Sequence, residues 1–405
     1  MDNQMRHIPP LGSNGEYHCP VCDSKDILPF LQIPQVPVHI NLLFDTKEEA
    51  LSVPKADMEL GFCKGCGHVY NFTFDAQLMD YTEDYENPLH FSARFRKYAD
   101  KLAQSLVERY QLYNKSIIEI GSGDGQFLGQ LCELGNNKGI GFDPSHKPDA
   151  DSALSKKNIT FINDYYSDEY AECKADLICC RHVLEHIHYP RDFMRALRHA
   201  IVDRPDTVLF FEVPNAMFTL KDLGIWDVIY EHCSYFTPQS LSRLFGTSGF
   251  HVKEMYEVYE GQFICLEALP KTKGSPDDDS FPVVDAPLQS YVNEFREGFN
   301  RKIKQWWHSL GEMLRKEQRI VVWGAGSKGA TFLNVNNRDN DIHYVVDINP
   351  RKHGMFVSGA GQEIVPPEFL RDYDPDVVLI MNPIYAEEIK QVIKQLHLSC
   401  EIRHV

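Results

Sequence analysis

The segment that most constrains the fold lies mid-chain. Ser116-Ile117-Ile118-Glu119-Ile120 is rich in β-branched residues and runs straight into Gly121-Ser122-Gly123-Asp124-Gly125, with a helical pattern opening at Gln126-Phe127-Leu128. Glycines let the backbone turn sharply and approach a ligand with no Cβ in the way. The N-terminus of the following helix offers unpaired N–H groups to an anion. A strand–loop–helix of this kind needs parallel neighbours. From about residue 115 to 269 short apolar strands alternate with helical patterns, which predicts a doubly wound α/β sheet.

The sequel narrows the ligand. Lys138-Gly139-Ile140-Gly141-Phe142-Asp143 reads as the next strand, ending in an acid placed to accept ribose hydroxyls about 20 residues beyond the loop. Ile159-Thr160-Phe161-Ile162-Asn163-Asp164 is a third strand ending in an acid, near where an adenine amine would sit. Ala175-Asp176-Leu177-Ile178-Cys179-Cys180 is a fourth, carrying Arg181 and His182 at its carboxyl edge, where open α/β sheets bind ligands. A dinucleotide fingerprint expects G-x-G-x-x-G, whereas this loop reads G-x-G-x-G. With acids on two successive strand ends, that favours S-adenosylmethionine (SAM) over NAD, held by Glu119, Gly121, Ser122, Gly123, Gly125, Asp143, Asp164, Arg181 and His182. Any one of these acids could instead be a helix N-cap.

Upstream, Cys19-Pro20-Val21-Cys22 and Cys63-Lys64-Gly65-Cys66 are two C-x-x-C knuckles. Four thiolates close a tetrahedral Zn²⁺ shell and leave no position for water, so the expected site is structural. A redox pair would open a helix in a βαβ unit, and neither knuckle does. His18 and His68 flank the knuckles as expected bystanders.

A second strand–glycine–helix unit begins at Ile320-Val321-Val322-Trp323 and continues Gly324-Ala325-Gly326-Ser327-Lys328-Gly329. It fits the dinucleotide spacing, with Val345-Val346-Asp347 ending a strand about 20 residues on. No partnered catalytic set accompanies it, so a second, dehydrogenase activity is the weaker reading, and an empty structural loop stays open. At 405 residues the chain exceeds one core. Three domains are expected: a zinc module over 1–74, a methyltransferase domain with leading helices over 75–270, and a Rossmann-like domain over 271–405. Residues 75–112 and 288–317 are predicted helical from three-to-four spacing, and 271–279 reads as a polar linker.

A net charge of −17 disfavours phosphate backbones as partners. No apolar run is long enough to span a membrane, and the polar N-terminus has no signal core. Eleven cysteines, several in apolar strands, fit a reducing cytoplasm better than a disulfide framework.

The order of these parts resembles the three-domain sugar C-methyltransferase family over nearly the whole chain. The likeness rests on Cys19/Cys22/Cys63/Cys66, the Glu119–Gly125 loop, His182-Val183-Leu184-Glu185-His186-Ile187, and Ile229-Tyr230-Glu231-His232-Cys233-Ser234-Tyr235-Phe236-Thr237. It extends to the 322–329 glycine loop and Asn382-Pro383-Ile384-Tyr385-Ala386-Glu387-Glu388-Ile389. The resemblance implies C-methylation of a nucleotide-linked 4-keto-deoxysugar, with His232 as base beside Glu231, assisted by His186. It also implies that Gly324, Gly326, Ser327 and Lys328 hold the nucleotide's pyrophosphate. The family's motif reads Tyr-His-Glu-His, and Tyr230-Glu231-His232 is one residue shorter.

Carbon attacks a sulfonium only after a ketone-adjacent proton is removed, which calls for a base of near-neutral pKa such as histidine. The enolate oxygen then needs donors, for which Tyr230, Tyr81, Tyr85 and His186 are candidates. Two alternatives remain: an O- or N-methyltransferase of another small molecule, and a non-catalytic SAM- or nucleotide-binding subunit.

Overall fold

A computed structural model of the chain describes residues 17–79, 89–146, 158–272, 286–336 and 341–405. The N-terminal strands are β1 (Ile27–Pro37), β2 (Leu43–Phe44), β3 (Lys55–Cys63) and β4 (Val69–Asn71), with the short helix α1 (Lys47–Leu51) between β2 and β3. Helix α2 (Ala93–Tyr110) leads into β5 (Ser116–Ile120), α3 (Gln126–Gly135), β6 (Lys138–Phe142), β7 (Ile159–Ile162) and β8 (Leu177–Arg181). Then come α4 (Pro190–Ala200), β9 (Val208–Pro214), α5 (Ala216–Lys221), β10 (Ser234–Tyr235), α6 (Pro238–Thr247), β11 (Phe250–Val258) and β12 (Phe263–Pro270).

The last part begins with α7 (Ala286–Arg315), followed by β13 (Ile320–Trp323), α8 (Ser327–Asn336), β14 (Tyr344–Val346), β15 (Phe356–Val357) and β16 (Glu363–Val365). It ends with α9 (Leu370–Tyr373), β17 (Val377–Ile380), α10 (Ala386–Gln395) and β18 (Glu401–His404).

The central sheet has the order β11-β12-β9-β8-β5-β6-β7, parallel except where β12 runs against β9 and β11. This is the class I methyltransferase core. Its inner strands are covered on both faces, which is why they read as unbroken apolar runs: Leu177, Ile178, Cys179 and Cys180 are all fully buried. The strand order reverses at β5, and the Gly121–Gly125 loop leaves the sheet at that switch point.

The leading helix is shorter than its spacing predicts: it starts at Ala93, where the Ser92 hydroxyl accepts the Phe95 amide. Upstream, β4 and a single 3₁₀ turn at Ala76–Leu78 occupy residues 69–78. Phe95, Leu102, Leu106 and Val107 bury one face of α2. At ~1.5–3 kcal/mol for each large side chain against ~1 for a cap, packing rather than capping holds this helix.

The third sheet has the order β18-β17-β13-β14-β16-β15-β2, with β18, β17, β13, β14 and β16 mutually parallel, as in a Rossmann-like unit. Helix α7 bridges it to the N-terminal module, burying Val292, Phe295, Phe299 and Ile303 in a core shared with Phe30, Phe62, Val322 and Leu379.

Strand pairing crosses both expected domain boundaries. β10, from the central segment, completes the N-terminal sheet (order β1-β3-β4-β10) with Ser234 opposite Tyr70. β2, from the N-terminal module, closes the edge of the third sheet with Phe44 opposite Phe356. No described helix is long and apolar enough to cross a membrane.

Candidate active site

A cleft of about 1680 Å³ opens between the central and third sheets, and both glycine loops face it. On the central side, the Gly121 and Ser122 amides donate to Phe142 O, at 2.8 and 3.2 Å. Gly121 has φ +70°, and a Cβ there would meet Val183 Cγ2 at 2.1 Å, so only glycine fits. Asp143 Oδ2 accepts the Gly123 amide at 2.7 Å, while Oδ1 accepts the Ser145 amide and hydroxyl at 2.8 and 2.6 Å. The expected ribose acceptor therefore also shapes the loop, while it lines the cleft. Glu119 is buried beneath the loop and accepts the Leu128 amide at 3.0 Å; burial pushes its carboxyl up to about 8. Asp164 is exposed at the rim and accepts the Tyr170 hydroxyl at 2.6 Å.

Arg181 and His182 converge on a residue that the sequence reading passed over. Glu212, fully buried on β9, accepts Arg181 Nε at 3.2 Å and the Tyr98 hydroxyl at 2.8 Å, with His182 Nε2 at 2.7 Å. Burial alone would raise its pKa; Arg181 and then His182 outweigh that and pull it down to about 2. The signal was available: one acid inside the apolar run Leu209-Phe210-Phe211-Glu212-Val213.

In the same cleft, His186 and His232 meet edge to face with ring centroids 4.8 Å apart. His186 Nδ1 donates to Glu231 O at 3.0 Å, which leaves Nε2 as the acceptor nitrogen of the neutral ring. Burial brings His186 down to about 4. Burial, then His186, His182 and Lys328, holds His232 well below its usual 6.5.

Two expected site residues lie elsewhere. Tyr230 is buried behind the cleft wall, stacked on Phe74, and its hydroxyl accepts the Asp75 amide at 2.9 Å. It is a core aromatic in this fold, because the chain turns inward between Ile229 and Glu231 to reach the N-terminal sheet. The Glu231 carboxylate also points away from the cleft: Oε1 accepts the Ile40 and Asn41 amides at 2.7 and 3.3 Å, and Oε2 accepts Asn41 Nδ2 at 3.0 Å. Tyr81 and Tyr85 lie outside the described residues.

On the third-sheet side, Gly324, Gly326, Ser327 and Lys328 line the cleft. A Cβ at Gly329 would sit 1.9 Å from Gly324 O, so close helix–strand packing requires that glycine. Asp347 Oδ2 accepts the Ala325 amide at 2.8 Å and Lys352 Nζ donates to Ala325 O at 3.0 Å, so the loop is braced by its own strand-end acid. Lys328 is ion-paired with Asp227, a cleft residue that was also not anticipated.

In the N-terminal module the Sγ atoms of Cys19 and Cys66 lie 3.6 Å apart, and those of Cys22 and Cys63 3.5 Å. All four sulfurs fall within 4.8 Å of one another. A tetrahedron with Zn–S near 2.3 Å has S···S edges of about 3.8 Å, whereas a disulfide is about 2.05 Å, so this set fits a closed Zn²⁺ shell. His68 is buried against Phe236, outside the sulfur cluster.

Residues 90–254 match the family described as "Methyltransferase domain", and residues 286–399 match "C-methyltransferase C-terminal domain". The chain is a SAM-dependent methyltransferase. It is 23% identical over 394 residues to the C-methyltransferase NovU of Streptomyces niveus, spanning 92% of this chain and 90% of that protein. Among solved structures it is similar to magnesium protoporphyrin IX methyltransferase of Synechocystis PCC 6803 with bound S-adenosylhomocysteine (SAH), with 20% identity, 44% and 84% of the two chains covered and a TM-score of 0.33. It is also similar to the 1,6-didemethyltoxoflavin N1-methyltransferase of Burkholderia thailandensis, with 14% identity, 51% and 96% covered and a TM-score of 0.35.

Proposed function

We propose that this methyltransferase C-methylates a nucleotide-linked 4-keto-deoxysugar, with His232 as the base. The observation that carries the reading is the shared cleft. His232 and His186 line the same cleft as Gly121, Ser122 and Gly123 of the first glycine loop and Gly324, Gly326, Ser327 and Lys328 of the second. A methyl donor held at the first and a pyrophosphate held at the second would meet beside the histidines.

SAM, when bound, supplies a methyl carbon on a sulfonium, and an in-line displacement mainly asks the protein to position its partners. The loop amides, Glu119, Asp143 and Asp164 are the candidate contacts for its amino-acid, ribose and adenine parts. Open space around Gly123, where an added Cβ would touch nothing within 4 Å, leaves room for that ligand. His232 removes the proton beside the ketone, and His186, edge to face with it and held by its Nδ1–H to Glu231 O, assists by positioning the His232 ring. Glu231 fixes the backbone that carries both, through its carbonyl to His186 and its carboxylate to Ile40 and Asn41. Lys328 contributes a point charge to the pyrophosphate. Cys19, Cys22, Cys63 and Cys66 hold a structural Zn²⁺ that staples the N-terminal sheet beneath this wall.

The test is deuterium exchange. With SAH in place of SAM, the protein should wash deuterium into the position beside the ketone of a nucleotide-linked 4-keto-6-deoxyhexose, and His232→Gln should not. Exchange that survives in His232→Gln removes the base assignment. Methyl transfer without exchange points to an oxygen or nitrogen acceptor.

A further inference from the structure

A buried histidine that takes a proton from carbon becomes a cation in a place with little water. The neighbours that act on His232 make this harder: His186, His182 and Lys328 all disfavour its protonated form. Glu231 cannot compensate, because both its carboxylate oxygens turn away to the Ile40 and Asn41 donors. Glu212 is committed to Arg181, His182 and Tyr98.

Among the described residues Glu185 is the carboxylate grouped with the two rings. Glu185 lines the cleft, its side chain is 3% exposed, and a carboxylate oxygen lies within 4.8 Å of a ring nitrogen of His232 and of His186. Among the described residues its buried Oε2 has no hydrogen-bond partner. An unpartnered buried carboxylate oxygen is a costly thing to keep, and such atoms are found where chemistry uses them.

We propose that Glu185 is the counter-charge of His232, a positioning residue that stabilises the imidazolium formed when His232 takes the proton. The proposal rests on His232 as base. The C–H bond breaks and its electron pair stays on the substrate as the enolate, while the proton forms an N–H bond on His232. That pair then forms the C–CH₃ bond as the methyl–sulfur bond breaks toward sulfur, and the proton leaves His232 for solvent with the products. Throughout, Glu185 keeps the charge on this wall balanced.

Burial pushes Glu185 up to about 7, so it gains its charge near neutrality, where His232 stays neutral. The other titratable groups that face the pair are His182 and Glu212 beside Glu185, Cys180 on β8 and Cys233 just before β10, and His186, Lys328 and Tyr235 around His232.

Deuterium exchange beside the ketone in the full chain, followed from pH 5 to 9, reads the effect: in the parent it should rise through a midpoint near 7 as Glu185 ionises. Glu185→Gln keeps the shape and removes the charge, and should abolish that midpoint. It should also slow deuterium exchange beside the ketone about 30-fold while leaving SAM affinity unchanged. A merely structural Glu185 would leave the midpoint where it is, and an unchanged midpoint overturns the proposal. Should Glu185→Gln fail to fold, Glu185→Asp, whose carboxylate is withdrawn by one methylene, should shift the midpoint, and an unchanged midpoint there overturns the proposal equally. If His232→Gln loses exchange while Glu185→Gln leaves the midpoint alone, this inference falls and the base assignment stands. If His232→Gln keeps exchange, both fall.

Discussion

Glu231 Oε1 accepts the backbone amide of Ile40 at 2.7 Å, across 191 residues of chain. The bond ties the residue before His232 to the N-terminal module, and Asn41 extends it by donating from Nδ2 to Ser327 Oγ on the third-sheet glycine loop at 3.2 Å. Removing this acceptor strands three donors in a dry site, at ~1–3 kcal/mol each where no water replaces it. Glu231→Ala should therefore lower the melting temperature clearly and reduce kcat by 10-fold or more, while SAM affinity is largely kept. Calorimetric unfolding and isothermal titration with SAM check this. A variant as stable and active as the parent would remove Glu231 from the framework.

Glu212 answers to pH in a defined window. Its folded pKa of about 2 lies below the ordinary 4.5, so its contribution is fully present above 4.5 and fades as the pH falls toward 2. Glu212→Gln leaves Arg181 buried with half its partner and should cost about 3 kcal/mol at pH 7. Urea unfolding at pH 7 and at pH 3.5 should show the gap between parent and variant shrinking at the lower pH.

Glu119 has the opposite sign. Its folded pKa of about 8 lies above the ordinary value, so stability falls as pH rises from about 4.5 to 8 while the buried carboxyl is forced to ionise. Glu119→Gln should match the parent at pH 4 and exceed it at pH 8, yet bind SAM more weakly. Thermal melts across that range, paired with SAM titration, separate the two effects. Loss of stability at pH 8 would show that the carboxylate is better compensated than burial implies.

Zinc should be present at one ion per chain by elemental analysis. Stripping it, or Cys63→Ser, should loosen the β1–β3–β4–β10 sheet and with it the strand that follows His232. The expected result is a melting temperature lower by roughly 10 °C. A metal-free protein that melts with the parent would exclude the structural site.

Local signals carried much of this reading. The Gly121–Gly125 and Gly324–Gly329 loops, the strand-end acids and the two C-x-x-C knuckles are written in neighbouring residues, because backbone turns, helix N-termini and metal knuckles are short-range requirements. Asp143 illustrates the limit: its place at a strand end was legible, but its bond to the Gly123 amide depends on two strands lying side by side.

The mid-chain strand–glycine–helix segment by itself determined a parallel α/β core with a cleft at its switch point, since a glycine turn between an apolar strand and a helix is a short-range requirement, met by Gly121 at φ +70°. Only the tertiary structure decided what Tyr230-Glu231-His232 does. Three consecutive residues turn to three different places: Tyr230 into the core, Glu231 to the N-terminal module and His232 to the cleft. Residue order cannot encode that division, because it is set by the strand exchanges of β2 and β10, whose partners are distant in the chain and close only after folding.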